Sequence, residues 1–302
     1  MPDADVLVIM NPIAGGAKRG TADEILRLLS AEGLHPRLHL TTAPHDAQIV
    51  AARAVEEGAR RLAVAGGDGT VGEVTGAIVG TGVAMGLIPL GTGNALGREL
   101  GLPLQDLPAA CRIVAHGPVR DADVGVCNGT HFAIMCSAGF DAEVAHSSHQ
   151  GRWKKRLGKW GFVAQFLLKL IGGRPRRFRV TVDGETFEEQ LWAVIACNAS
   201  QYTWRLRFAP RSSLDDGGLH VVLFGQRGRL ELLNEITRHW CSGGVCEVPG
   251  ARCLHGRSIR IEAEPPTRWQ ADGDVRGMTP VDISVRPGAL RLIVPPETPT
   301  GA

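Results

Sequence analysis

Residues 61–70 read Arg-Leu-Ala-Val-Ala-Gly-Gly-Asp-Gly-Thr, and this stretch decides the fold. Arg61–Ala65 reads as a short strand whose apolar run does not alternate, so both of its faces need cover. It stops at Gly66-Gly67-Asp68-Gly69-Thr70 and gives way to a helical pattern. The same order recurs on either side. Val6–Met10 meets Asn11-Pro12 and Gly15-Gly16, then a helix through Ile25, Leu28 and Leu29. Arg37–Thr41 precedes a helix from about Pro44 to Glu57, and Met85–Leu90 ends in Gly91-Thr92-Gly93-Asn94 before another helix. Apolar strands alternating with helices predict a parallel sheet covered on both faces, with ligands beyond the carboxyl ends of its strands.

The turns carry chemistry as well as geometry. Glycines let backbone N–H groups approach phosphate oxygens, and the helix N-terminus that follows favours an anion. Thr70 adds a hydroxyl and a cap. Asp68 is itself an anion, so it must contact a metal, a ribose or a donor group. The plain alternative is a tight strand-to-helix turn capped by Asp68 or Thr70. Three glycines around one aspartate exceed what a cap requires. Gly91-Thr92-Gly93-Asn94 supplies a second lip, and Asn11 and Thr42 stand at two further strand ends. Neither a GxxxxGK[ST] loop nor a GxGxxG fingerprint occupies these turns, so the nucleotide site is expected to draw on several strand ends.

After about Asn128 the pattern changes. His131–Ser137, Arg177–Asp183, Leu191–Asn198, Leu219–Gly225, Ser258–Glu264 and Val281–Val285 read as strands, interrupted by helices near 151–172 and at Leu230–Trp240. That predicts an antiparallel sheet or sandwich. The 302 residues suit two domains of about 150 each. The expected division is an α/β ATP-binding domain at 1–128 and a β-rich substrate domain at 129–288. A last strand at 289–294, after Pro287-Gly288, can return to either.

Charge and composition narrow the class. A net charge of +2 says little, but residues 151–179 hold ten Lys/Arg and no acid. Leu157, Trp160, Ala164, Leu167, Leu168 and Ile171 share one helical face, while Phe162 and Phe166 lie opposite beside Lys159 and Lys169. Aromatics among cations suit a peripheral membrane contact; they are too few for a nucleic-acid stacking platform. A solvated helix is the bland alternative. Seven cysteines without a CxxC pair argue against a disulfide scaffold or structural zinc, and read as small core residues in a reducing cytoplasm. The ten histidines are assigned no ligand role. MPDADVLVIM lacks the basic start of a signal peptide, and Phe162–Ile171 falls far short of the ~20 apolar residues of a spanning helix.

Taken in order and spacing, NPIAGG, TTAPHDA, GGDGTVGEVTGAI and GTGNALGREL resemble the catalytic domain of the diacylglycerol kinase and sphingosine kinase superfamily, and bacterial soluble lipid kinases in particular. Further matches are Asp121-Ala122-Asp123-Val124-Gly125, Ser137–Ala142, Ser213–Gly217 and Gln270–Asp274, so the resemblance spans essentially the whole chain. It implies ATP and Mg²⁺ as cofactors and a lipid hydroxyl as acceptor. Asn11, Thr42, Gly66, Gly67, Asp68, Gly69, Thr70, Val71, Gly72 and Thr92 would line the ATP site, with Gly93 and Asn94 on its second lip. Ser213, Asp216 and Gly218 match a region that holds a structural Mg²⁺ partly through backbone carbonyls. Asp272-Gly273-Asp274 matches a D-G-E motif carrying the general base; Asp272 is expected to be that base, and Asp274, one methylene shorter than the usual Glu, to steer the nucleophile or a metal. Asp-Gly is also the commonest hairpin signal. Asp68 and Asp123 complete the carboxylates available to the chemistry. Tyr202-Thr203-Trp204-Arg205 stands where glycines are usual in the family.

The reading is therefore an ATP-dependent kinase acting on diacylglycerol, a sphingoid base or another long-chain alcohol. Two rivals accompany it. An NAD-kinase-like enzyme would carry a second Gly/Thr-rich block in its later domain, and none is visible. A nucleotide-binding membrane-surface protein without catalysis is the other.

Overall fold

The computed structural model describes residues 5–150, 173–203, 206–225 and 252–296. The chain divides into two compact units, residues 1–124 with 286–302, and residues 125–285.

The first unit alternates β1 (Asp5–Met10), α1 (Thr21–Ala31), β2 (His35–Leu40), α2 (Asp46–Glu56), β3 (Arg61–Gly66), α3 (Asp68–Ile78) and β4 (Ala84–Pro89), followed by α4 (Ala95–Glu99), α5 (Leu107–His116) and β5 (Val119–Cys127). The strand order β2-β1-β3-β4 is parallel throughout. Leu62, Ala63, Val64 and Ala65 are fully buried, which is why β3 is a continuous apolar run. Val6, Val8, Met10, Ala63 and Ala65 pack with Ile25 and Leu29 of α1 and Cys111 and Val114 of α5. The alternate residues face the other way, where α2 and α3 lie side by side. The consequence for function is that the turns after β1, β3 and β4 leave one end of the sheet together.

The second unit is built on β6 (Thr130–Phe132), β7 (Met135–Gly139), α6 (Phe140–Gln150), β8 (Arg176–Val182), β9 (Glu185–Leu191), β10 (Ala193–Cys197), β11 (Gln201–Thr203), β12 (Leu206–Arg207), β13 (Leu219–Phe224), β14 (Arg252–Gly256), β15 (Ser258–Glu264), β16 (Arg268–Ala271), β17 (Asp274–Met278) and β18 (Val281–Ile293). One antiparallel sheet runs β14-β13-β10-β7-β16-β17. A second joins the first part of β18 to β15, β8 and β9. Phe178, Val180, Val194, Val221, Ile261, Trp269 and Val281 fill the core between these sheets.

Two expectations change. Pro287-Gly288 bends a strand and does not end it: β18 is a single 13-residue element. Gly288 takes a φ of 59°, and its amide is held at 2.8 Å by the buried carboxylate of Asp123. Its end, from Arg291, pairs parallel with β4. Secondly, Cys253 is exposed on β14 and disulfide-bonded, against the expectation of small core cysteines. Cys111, Cys127, Cys136 and Cys197 are buried free thiols, and burial pushes Cys111 up to about 12, out of nucleophilic range.

The basic helix at 151–172, the helix at 230–240 and Trp204-Arg205 lie outside the described residues. Within them, part of the basic stretch is already paired: Arg177 and Arg179 on β8 both reach Glu188 on β9 at 2.7 Å. No helix among the described residues is long and apolar enough to cross a membrane.

Candidate active site

The first unit gathers three turns at one place. Gly67 caps α3 with backbone alone; among the described residues no side chain caps this helix, and the N–H groups of Asp68, Gly69 and Thr70 at its first turn have no protein partner. The turn after β4 backs onto this one so closely that a Cβ on Gly91 would stand 2.5 Å from the Cα of Gly67. Glycine at 91 is therefore a steric requirement of two loops in contact. Gly93 is required for a different reason, since a Cβ there would lie 2.4 Å from a carboxylate oxygen of Asp68.

Asp68 is the clamp between them. It accepts hydrogen bonds from the amides of Asn94 at 2.9 Å and Ala95 at 2.6 Å, a carboxylate seated on the first turn of α4. Asn94 turns the chain with φ 51° and closes its own loop through both side-chain atoms on Gly91. Asp68 thus has its donors in the protein. Of its three anticipated contacts (metal, ribose or donor group), the geometry selects the last.

Asn11 joins the third turn. Its backbone N–H reaches Ala65 O at 2.9 Å and its side chain touches the Thr70 hydroxyl at 3.4 Å. Gly16 donates to Leu90 O at 2.7 Å, and Gly15 packs against the hydroxyl of Thr92. Thr42 stands at the end of β2, its amide and hydroxyl both bound to Asp46. The Thr42 amide, then His39, hold the Asp46 carboxyl below the usual range. Gly69 is exposed, Gly72 has open space where a side chain would sit, and Val71 begins the helical ladder by donating to Gly67 O.

In the second unit Asp272 and Gly273 form the two-residue turn between β16 and β17, with φ values of 48° and 93° and Ala271 opposite Asp274. The Asp272 carboxylate accepts three amides, from Ala133 at 2.7 Å and from Ile134 and Met135 at 2.9 Å. Gly273 donates to Gln270 Oε1, whose amide nitrogen binds Ser137 and Asp141 in a buried network. Asp274 is different. It is exposed, and only its Oδ2 is engaged, by Arg276 at 3.1 Å, so Oδ1 has no protein donor among the described residues. This geometry argues against the expectation for Asp272: it anchors the hairpin, and a carboxylate fixed by three amides is poorly placed to collect a proton.

Asp123 is buried, and its carboxylate holds the Gly288 amide. Asp216 accepts the amides of Ser213 and Gly218, each at 3.1 Å, so these residues turn N–H donors toward it. An N–H group offers a cation no lone pair, so a ligand from either backbone would have to be its carbonyl. The Ser213 hydroxyl is spent on Asp215, and the groups that face Asp216 are the imidazoles of His220 and His255. Mg²⁺ requires an oxygen shell, and this set of side chains, one carboxylate and two imidazoles, does not fit it. Burial works to raise the Asp216 carboxyl, but the His220 hydrogen bond and the two amides outweigh it and hold the group low. The two histidines had no local spacing to betray them: they meet across a strand pair, and only the four-residue step from Asp216 to His220 is visible in sequence.

A parallel sheet with glycine turns around an open helix N-terminus, carried with an antiparallel sandwich, defines a phosphotransferase of the two-unit class. Residues 5–127 match the diacylglycerol kinase catalytic domain and residues 134–294 the YegS C-terminal NAD kinase beta sandwich-like domain, so the chain belongs to the diacylglycerol kinase family and is a lipid kinase. It is 30% identical to a diacylglycerol kinase of Mycobacterium tuberculosis H37Rv over 96% of this chain and 95% of the relative. It is 24% identical to a diacylglycerol kinase of Bacillus subtilis 168, over 96% of each. The solved structure of a diacylglycerol kinase from Bacillus anthracis Sterne shares the fold, with a TM-score of 0.76 over 99% of this chain and 100% of that one at 21% identity.

Proposed function

We propose that this lipid kinase transfers the γ-phosphoryl group of ATP to the hydroxyl of a membrane lipid, with diacylglycerol the acceptor favoured by the names of its relatives. The observation that carries the reading is the open first turn of α3, with three amides that have no partner among the described residues at the meeting point of the glycine turns. Backbone N–H groups at a helix N-terminus suit a phosphate, and Asn11, Thr70 and Thr92 add polar side chains at the rim. Asp68 serves this site indirectly by keeping the two turns together.

Phosphoryl transfer asks the protein mainly for positioning and charge neutralisation. Mg²⁺ bound to the nucleotide would neutralise charge on the phosphates; with Asp68 spent on amides, the ion would arrive with ATP and not in a protein cage. The lipid oxygen forms its bond to the γ-phosphorus as the bond to the β-phosphate oxygen breaks, and the hydroxyl proton passes to a carboxylate. We assign that carboxylate as Asp274, whose Oδ1 has no protein donor among the described residues. The Asp272 turn and its Gln270 brace fix the hairpin that presents it.

Lys154, Lys155, Arg156 and Lys159 are assigned to a peripheral membrane contact on the cytoplasmic face. Arg177 and Arg179 contribute less, because both are drawn to Glu188, which offsets one of their two charges.

The test is transfer of labelled phosphate from ATP to a panel of lipid alcohols in mixed micelles, with products resolved by mass. Phosphatidic acid from diacylglycerol is the expected product. ATP turnover confined to NAD or to no acceptor at all would contradict the proposal.

A further inference from the structure

The misfit with Mg²⁺ at Asp216 has a positive side. We propose that Asp216, His220 and His255 form a binding site for a borderline divalent ion of the zinc class, independent of the lipid kinase reading. His220 on β13 and His255 on β14 are directly opposed in the antiparallel register, and their rings stand 4.9 Å apart, edge to face. Asp216 lies in the turn before β13, four residues ahead of His220, and places its Oδ2 3.2 Å from His220 Nε2 and its Oδ1 3.7 Å from His255 Nε2. One ligand atom from each lies within 4.8 Å of the others. A tetrahedral zinc with bonds of about 2.1 Å spreads its ligand atoms roughly 3.4 Å apart, so the side chains are near the required spacing already.

The site is held from outside. The Ser213 and Gly218 amides fix the carboxylate, and Gly218 makes room for His255: a Cβ there would meet its ring at 2.4 Å. Two imidazoles and one carboxylate suit Zn²⁺ and its first-row neighbours, not the oxygen-seeking Mg²⁺. A bound ion would replace ring protons as the partner of Asp216 and tie the edge strand β14 to β13 and to the turn before it. Solvent would complete its shell, since Asp216 and His255 are exposed.

The experiment uses the full chain, stripped with a chelator and held in excess Mg²⁺, titrated with Co²⁺ and then Zn²⁺. A visible Co²⁺ band of low-coordinate intensity, bleached by Zn²⁺ and indifferent to Mg²⁺, is expected. His255→Gln, at an exposed position that tolerates change, should weaken Zn²⁺ in equilibrium dialysis at least ~10-fold. It should also erase any Zn²⁺-induced rise in melting temperature. His220→Gln should do the same, and His35→Gln in the other unit should do neither. The proposal is overturned if no Co²⁺ band forms, if Mg²⁺ removes it, or if Zn²⁺ affinity is unchanged in both histidine variants.

Discussion

The turn at Gly66–Thr70 and the hairpin at Asp272–Asp274 look alike in sequence, since each sets an aspartate against glycine at a strand end. In three dimensions the aspartate does the same job in both. Asp68 binds the amides of Asn94 and Ala95, and Asp272 binds those of Ala133, Ile134 and Met135. The difference lies in what each clamp leaves open. In the first unit it leaves the first amides of α3 without partners among the described residues, a geometry suited to an anion. In the second it leaves one oxygen of Asp274 without a protein donor among the described residues, as the proposed base requires. An aspartate in a glycine motif is thus an organiser here, and in the proposed mechanism the group that meets the substrate is its neighbour.

That comparison can be broken at several points. The largest effect is expected for Asp274→Asn, which should cut transfer to lipid by the ~10²–10⁴-fold typical of losing acid–base help while ATP binding stays near wild type. Dialysis with ATP beside a turnover assay checks it, and a variant that keeps full activity moves the base elsewhere. Asp272→Ala should act on stability first. Three amides lose their acceptor, and at ~1 kcal/mol or more each the loss is about 3 kcal/mol in urea unfolding. Activity should then follow the folded fraction; a stable but inactive variant would restore Asp272 as the base.

Smaller effects sharpen the first turn. Gly91→Ala forces a Cβ against Gly67 and should cost about 1–3 kcal/mol with a raised KM for ATP. An unchanged KM would show that the two turns need not touch. Replacing Lys154, Lys155, Arg156 and Lys159 with Gln should weaken binding to anionic vesicles by about 1 kcal/mol per charge and spare activity on a short-chain substrate. Vesicle binding that does not change returns this segment to the solvated-helix reading.

Much of this was legible before the structure. The parallel sheet followed from apolar runs ending in glycine turns, because burial on both faces writes itself into composition. The exposed strands did not. Glu185–Leu191 and Arg252–Gly256 alternate polar residues with little apolar signal, and they exist because they pair, with Arg176–Val182 and with Leu219–Phe224. The site was legible as a set of motifs but not as a set of roles. Asp68, Asp123 and Asp272 look catalytic by residue type, and only their amide partners, 27, 165 and 139 positions away at the farthest, show what they hold. His220 and His255 escaped for the same reason, since a cross-strand pair has no local spacing.

The central claim is that the glycine turns take the nucleotide by backbone amides, with Asp68 as their clamp and not as a ligand. Amide nitrogen and proton shifts followed during titration with ATP and Mg²⁺ test it most directly. The account predicts large shifts at Asp68, Gly69 and Thr70, with Ala133, Ile134 and Met135 unmoved. Saturation by ATP without any shift at residues 68–70 would contradict it.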